Sequence, residues 1–121
     1  MNALKGVIGA ISSSLIVAIL FAYIFRIPIP LGGYIGPFGE LTNHNIAIIE
    51  TIRMVFLSWV FYGLFGGFIV LSILGAGTSY IAGRRCRSSG RKNKQIFTWS
   101  SAAGVIPVFI LSILDYIIGP W

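Results

Sequence analysis

Apolar and polar positions in this chain fall into long blocks, with no fine alternation. Residues 6–25, GVIGAISSSLIVAILFAYIF, run without a charge between Lys5 and Arg26. About 20 helical residues span the ~30 Å hydrocarbon core of a bilayer, so this block predicts a membrane-crossing helix over about 5–25. No small-x-small cleavage site followed by a polar start appears after Ala22, so the block is expected to persist as a helix and not as a removed signal. Residues 54–83 form a second block of thirty uncharged positions. That exceeds one straight crossing, which predicts a tilted or projecting helix. The polar TNHN before residue 46 offers capping groups, so the second helix is expected over about 46–83. The third block, residues 96–118, is interrupted only by Asp115 and carries Pro107 in its middle. A kink is expected there, because proline deletes one backbone hydrogen bond and crowds the preceding turn.

Two connecting segments remain. Residues 26–45 hold three prolines and four glycines, which exclude a regular helix. They stay apolar through Ile27, Ile29, Leu31, Tyr34, Ile35 and Phe38, which predicts an extended, turn-rich cap against the membrane surface or a partner. Residues 84–94 hold Arg84, Arg85, Arg87, Arg91, Lys92 and Lys94, six of the nine cations, and no acid. Short loops rich in Lys and Arg stay on the cytoplasmic side. The basic loop is therefore expected inside, with the N-terminus and Lys5, while residues 26–45 and Trp121 are expected outside. The fold class that follows is an all-α membrane protein of three transmembrane helices, N-terminus inside and C-terminus outside, in a plasma or inner membrane.

Composition agrees. The chain is 56% hydrophobic and 10% charged, against about 25% charged in soluble domains, so it lacks the material for a polar surface. At 121 residues it has room for one domain. The net charge of +6 comes from one loop, and no aromatic residue interleaves its cations as a nucleic-acid groove requires. Contact with anionic lipid headgroups is the expected secondary role of that loop.

Small residues repeat every fourth position. The first helix has Gly6, Ala10, Ser14, Ala18 and Ala22; the second has Gly63, Gly67, Gly75, Ser79 and Gly83, interrupted by Leu71; the third has Ser100, Gly104 and Ser112. Such faces let helix backbones approach closely, either within the chain or against another subunit. Arg26, Glu50, Arg53 and Asp115 are expected in one leaflet, with Glu50 and Arg53 paired along the helix and Arg53 reaching Asp115 between helices. Trp59 is expected to pack, and Tyr23, Tyr80, Trp99 and Trp121 to anchor at headgroup depth.

Candidate chemistry is sparse. Cys86 is the single cysteine and His44 the single histidine, so no disulfide and no zinc, haem or iron–sulfur ligand set can come from this chain alone. Cys86 lies among arginines just past the second helix, where palmitoylation or a plain thiol both fit. No Ser-His-acid set falls within one leaflet. The pattern predicts a non-catalytic accessory or structural subunit, without cofactors, in a larger energy-transducing or transport complex. The alternative is a homo-oligomeric pore or small transporter, holin-like included, lined by Ser12, Ser13, Ser14, Ser100 and Ser101. A full-length polar stripe, which a channel uses, is missing.

Overall fold

A computed structural model describes residues 1–25, 27–30, 33–35, 48–86 and 88–118, excepting the side chains of 33–35 and 89. The described residues are nearly all helical. Helix α1 spans Asn2–Ile24, α2 Ile48–Tyr62, α3 Phe68–Arg85 and α4 Ser89–Ile118, with a π-type turn, Gly63–Gly67, joining α2 to α3. Two short strands, β1 (Ile27–Ile29) and β2 (Gly33–Ile35), follow α1. Three helical stretches are long and apolar enough to cross a membrane: α1, the joined Ile48–Arg85, and Gly90–Ile118 of α4.

Helix α1 packs lengthwise against both α3 and α4, which also pack on each other. Its buried face is Gly6, Gly9, Ala10, Ser14, Ala18 and Ala22, the four-residue repeat with Gly9 added. The facing residues are small as well: Gly75, Ser79 and Ala82 join Leu71 on α3, and Ser100, Ala103, Gly104 and Ser112 are buried on α4. Large apolar side chains such as Ile16, Leu20, Ile69, Ile73, Phe109 and Ile110 point outward. In lipid this arrangement is stable, because outward apolar groups lose nothing and inward small groups let backbones reach dispersion contact.

Helices α1 and α4 run parallel and hold one register. Lys5 bonds Asn93, Ser13 bonds the Ser101 carbonyl, and the Phe21 ring meets Phe109 at 6.0 Å, each pair 88 positions apart. The register passes Pro107 unshifted, and α4 is continuous across it. The proline therefore leaves the α1–α4 seam in step.

The second apolar block is two helices, where one tilted or projecting helix was expected. At Phe65 the backbone drifts to ψ 18° and at Gly66 it adopts φ 116°, a left-handed value open to glycine and costly to residues with a Cβ. The Phe68 N–H donates to the Gly63 carbonyl oxygen, five residues back, which closes the wide turn. Spacing along α1 shows what the break accomplishes. Gly6 meets Gly75 and Ser14 meets Trp59. The eight residues between Gly6 and Ser14 rise about 12 Å, while the sixteen between Trp59 and Gly75 would rise about 24 Å if straight. The irregular turn Gly63–Gly67 lies between these two contacts.

The basic segment also differs from a simple loop. Helix α3 runs through Arg85 and α4 begins at Ser89, so Arg84, Arg85, Arg91, Lys92 and Lys94 are all helical. The segment after α1 forms a hairpin in part, with Ile27 opposite Ile35 and Ile29 opposite Gly33. Ile27 is buried in a cluster with Ala18, Ala22, Val55 and Val108, which ties the hairpin to α1, α2 and α4.

Candidate functional site

Four local features can be built from these elements. The first is the point where three helices meet. A methyl group on Gly6 would collide with the Gly75 carbonyl oxygen, and one on Gly104 with the Ala10 carbonyl oxygen. Ser100 on α4 lies 3.2 Å from the Thr78 hydroxyl and donates weakly to the Gly75 carbonyl at 3.4 Å. Ser13 donates to the Ser101 carbonyl at 2.9 Å. Among the sequence candidates, Gly6, Ala10, Ser14, Ala18, Ala22, Gly75, Ser79 and Gly104 all lie on buried faces. Gly83 is half-buried, its added Cβ 3.4 Å from the Lys92 chain. Gly63 and Gly67 do not join that seam. The groups closest to them are Phe68 and Tyr62 of their own segment, so they serve the turn.

The second feature is a notch beside that turn. Ser14, Trp59, Gly63, Phe68, Pro107 and Leu111 are among the residues around an open apolar cavity of about 250 Å³. Trp59 forms one wall. Its indole N–H donates to the Ser14 hydroxyl at 3.0 Å, and its ring meets Phe68 edge-on at 4.9 Å. Leu64 and Phe65 in the turn are 76% and 78% exposed, and Phe65 also lines the notch. The sequence signal for this site is the cluster GLFGG, of which Gly63 and Gly67 are expected on the packing stripe and Gly66 is not part of it.

The third feature is the end where α1 and α4 finish and α2 starts. The rings of Phe25 and Tyr116 lie 5.8 Å apart. Arg53 pairs with Glu50 at 3.5 Å, with its side chain 68% exposed. Asp115 is fully buried. The expected Arg53–Asp115 contact is not among the ion pairs of the described residues. Arg53 projects from the outer side of α2, whereas Thr51, Val55 and Ser58 form the buried face of that helix. Arg26, Glu40, His44 and Trp121 lie outside the described residues.

The fourth feature is the opposite end. Lys5 donates to Asn93 at 3.3 Å, and the Arg84 guanidinium sits 4.9 Å above the Tyr80 ring. The Cys86 thiol donates to Gln95 Oε1 at 2.6 Å, linking the end of α3 to α4. A cleft of about 660 Å³ opens between these two helix ends. Arg84 and Lys92 line a separate groove toward α1, shared with Asn2, Ala3 and Tyr80. Glu50 and Asp115, the acids among the described residues, belong to the far end of the bundle. Arg87 lies outside the described residues. Tyr80 and Trp99 are exposed at this end and Tyr23 at the other.

No three His, Cys, Asp or Glu among the described residues are grouped to hold a metal ion. Comparison of the chain with protein-family models, with curated proteins and with solved structures gave no match.

Proposed function

We propose that this chain is a non-catalytic accessory or structural subunit that packs into and stabilises a larger membrane protein complex of energy-transducing or transport type. The observation that carries this reading is the notch at the α2–α3 turn. The turn exposes Leu64 and Phe65, and Phe65 lines an apolar cavity shared with Pro107 and Leu111. A side chain of a neighbouring transmembrane helix fills such a notch by dispersion contact. The small-residue stripes are largely spent inside the chain, so docking falls to this larger, irregular face. The serine hydroxyls of the pore alternative are largely engaged as well: Ser13, Ser14 and Ser100 each bond a carbonyl oxygen.

In this reading the helices cross the membrane three times with the cation-rich end in the cytoplasm, by the bias of Lys and Arg toward that side. Extraction in mild detergent tests the subunit role: companion membrane subunits are expected to co-purify. Migration as a solitary monomer would count against it, and selective ion flux from the purified chain in liposomes would favour a pore. Orientation is tested separately with Ser88→Cys in a Cys86→Ser background. A membrane-impermeant maleimide should label it in inside-out vesicles and spare it in intact cells.

A further inference from the structure

We propose that the cleft between the end of α3 and the start of α4 is a binding site for one anionic phospholipid. One wall is Thr78, Ile81, Ala82 and Arg85 of α3 with Cys86 just after it, and the other is Arg91, Gln95 and Trp99 of α4 with Ser88 just before it. Spacings of three and four place the helical members of each set on a single face. The two arginines face one cavity from different helices. Among the described residues the acids, Glu50 and Asp115, lie at the other end of the bundle, so none of them competes with an outside anion for these cations. A phosphodiester provides it, and guanidinium forks match its oxygens.

The cleft also has a polarity gradient. From Arg85 back to Thr78 the wall descends about 10 Å at 1.5 Å per residue. It passes from arginine through Ala82 and Ile81 while α4 passes from Arg91 through Gln95 to Trp99. A soluble anion would use the cationic mouth alone. A lipid uses the whole length, its phosphate between Arg85 and Arg91 and an acyl chain along Ile81 and Trp99. The volume of about 660 Å³ accommodates a headgroup with the upper part of a chain. The Cys86–Gln95 contact at 2.6 Å ties the two walls together. The proposal rests on membrane insertion of the chain and not on its subunit role, so it survives if the chain proves to be a pore.

Native mass spectrometry of the purified chain, released from an uncharged detergent, provides the test. Phosphatidylglycerol and phosphatidylcholine with the same acyl chains are the probes. Wild type should retain phosphatidylglycerol over phosphatidylcholine. R85Q/R91Q should bind phosphatidylglycerol about thirty-fold more weakly, from about 1 kcal/mol per cation at a membrane surface. R84Q/K92Q removes the same charge from the neighbouring groove and should weaken binding less than about three-fold, because neither cation lines the cleft. Trp99→Ala should weaken binding while keeping the headgroup preference. Equal losses in the two double variants would overturn the site in favour of a diffuse charge effect. Displacement of the lipid by inorganic phosphate would overturn it in favour of a plain anion site. Thermal melting of each variant in the same detergent confirms that all are folded, since every substituted side chain but Lys92 is exposed and Lys92 is half-buried.

Discussion

Gly75 of α3 lies against Gly6 of α1 so closely that a methyl on Gly75 would stand 2.7 Å from the Gly6 carbonyl oxygen and 2.8 Å from the Val7 Cα. Both obstacles are backbone, so neither can rotate away. Gly75→Ala should therefore force α1 and α3 apart at the point where α4 also joins, at a cost of about 1–3 kcal/mol. Gly77, two residues on, has open space around its Cβ position. Gly77→Ala should be neutral or stabilising by up to about 1 kcal/mol, since alanine is the better helix former. Reversible unfolding in mixed micelles measures both. A Gly75→Ala protein as stable as wild type would mean the helices do not meet at these glycines.

The turn between α2 and α3 depends on Gly66, whose φ of 116° no alanine adopts without strain. Gly66→Ala is expected to cost about 1–2 kcal/mol, with Gly66→Asn milder. Nothing lies within 4 Å of the Cβ position, so a loss would report backbone conformation and not a clash. The same micelle unfolding assay reads it. A stabilised Gly66→Ala protein would indicate one continuous helix through 63–67.

Trp59 and Ser14 join α2 to α1 through an indole N–H to hydroxyl bond of 3.0 Å. Hydrogen bonds between transmembrane helices average ~0.6 kcal/mol, with a ceiling near ~1.7. A double-mutant cycle of Trp59→Phe and Ser14→Ala should give a coupling in that range. The Ser14 hydroxyl also donates to the Ile11 carbonyl at 2.8 Å, so Ser14→Ala alone removes both contacts. Strict additivity in the cycle would show that the indole does not reach Ser14.

Arg53 and Asp115 share an end of the bundle but differ in environment, one largely exposed and one buried. Arg53→Gln should change stability by less than about 0.5 kcal/mol, because an exposed pair with Glu50 is largely screened by water. Asp115→Ala should cost considerably more, since it empties a fully buried position. Exchanging the charges, Arg53→Asp with Asp115→Arg, should bring no rescue over the single variants. Recovery of stability in that double variant would restore the direct pairing that residue depth alone suggests.

The sequence by itself determined the three helical blocks long and apolar enough to cross a membrane, because uninterrupted apolar length is a local property of the chain. It also determined which residues of α1 share one close-packing face, while the structure decided that this face turns inward. Gly6, Ala10, Ser14, Ala18 and Ala22 repeat every four positions on a helix of nearly fixed pitch, so their common face needed no partner to define it. Gly63 and Gly67 of GLFGG, four positions apart, fit a packing stripe in the sequence. Only the tertiary structure decided for the turn, where Gly66 takes a left-handed φ and Phe68 and Tyr62 of the same segment crowd Gly63 and Gly67. Arg53 and Asp115 pose the same kind of question. Sequence sets their depth along a helix axis, but rotation about that axis is set by what the neighbouring helices bury. Packing of Val55 against Ala18, Ala22 and Ile27 turns the Arg53 side of α2 outward. The pairing of Arg85 with Arg91 across one cleft was likewise invisible in a run of six cations. It arises because α3 ends and α4 begins within a few residues, so that cations close in sequence divide between two faces.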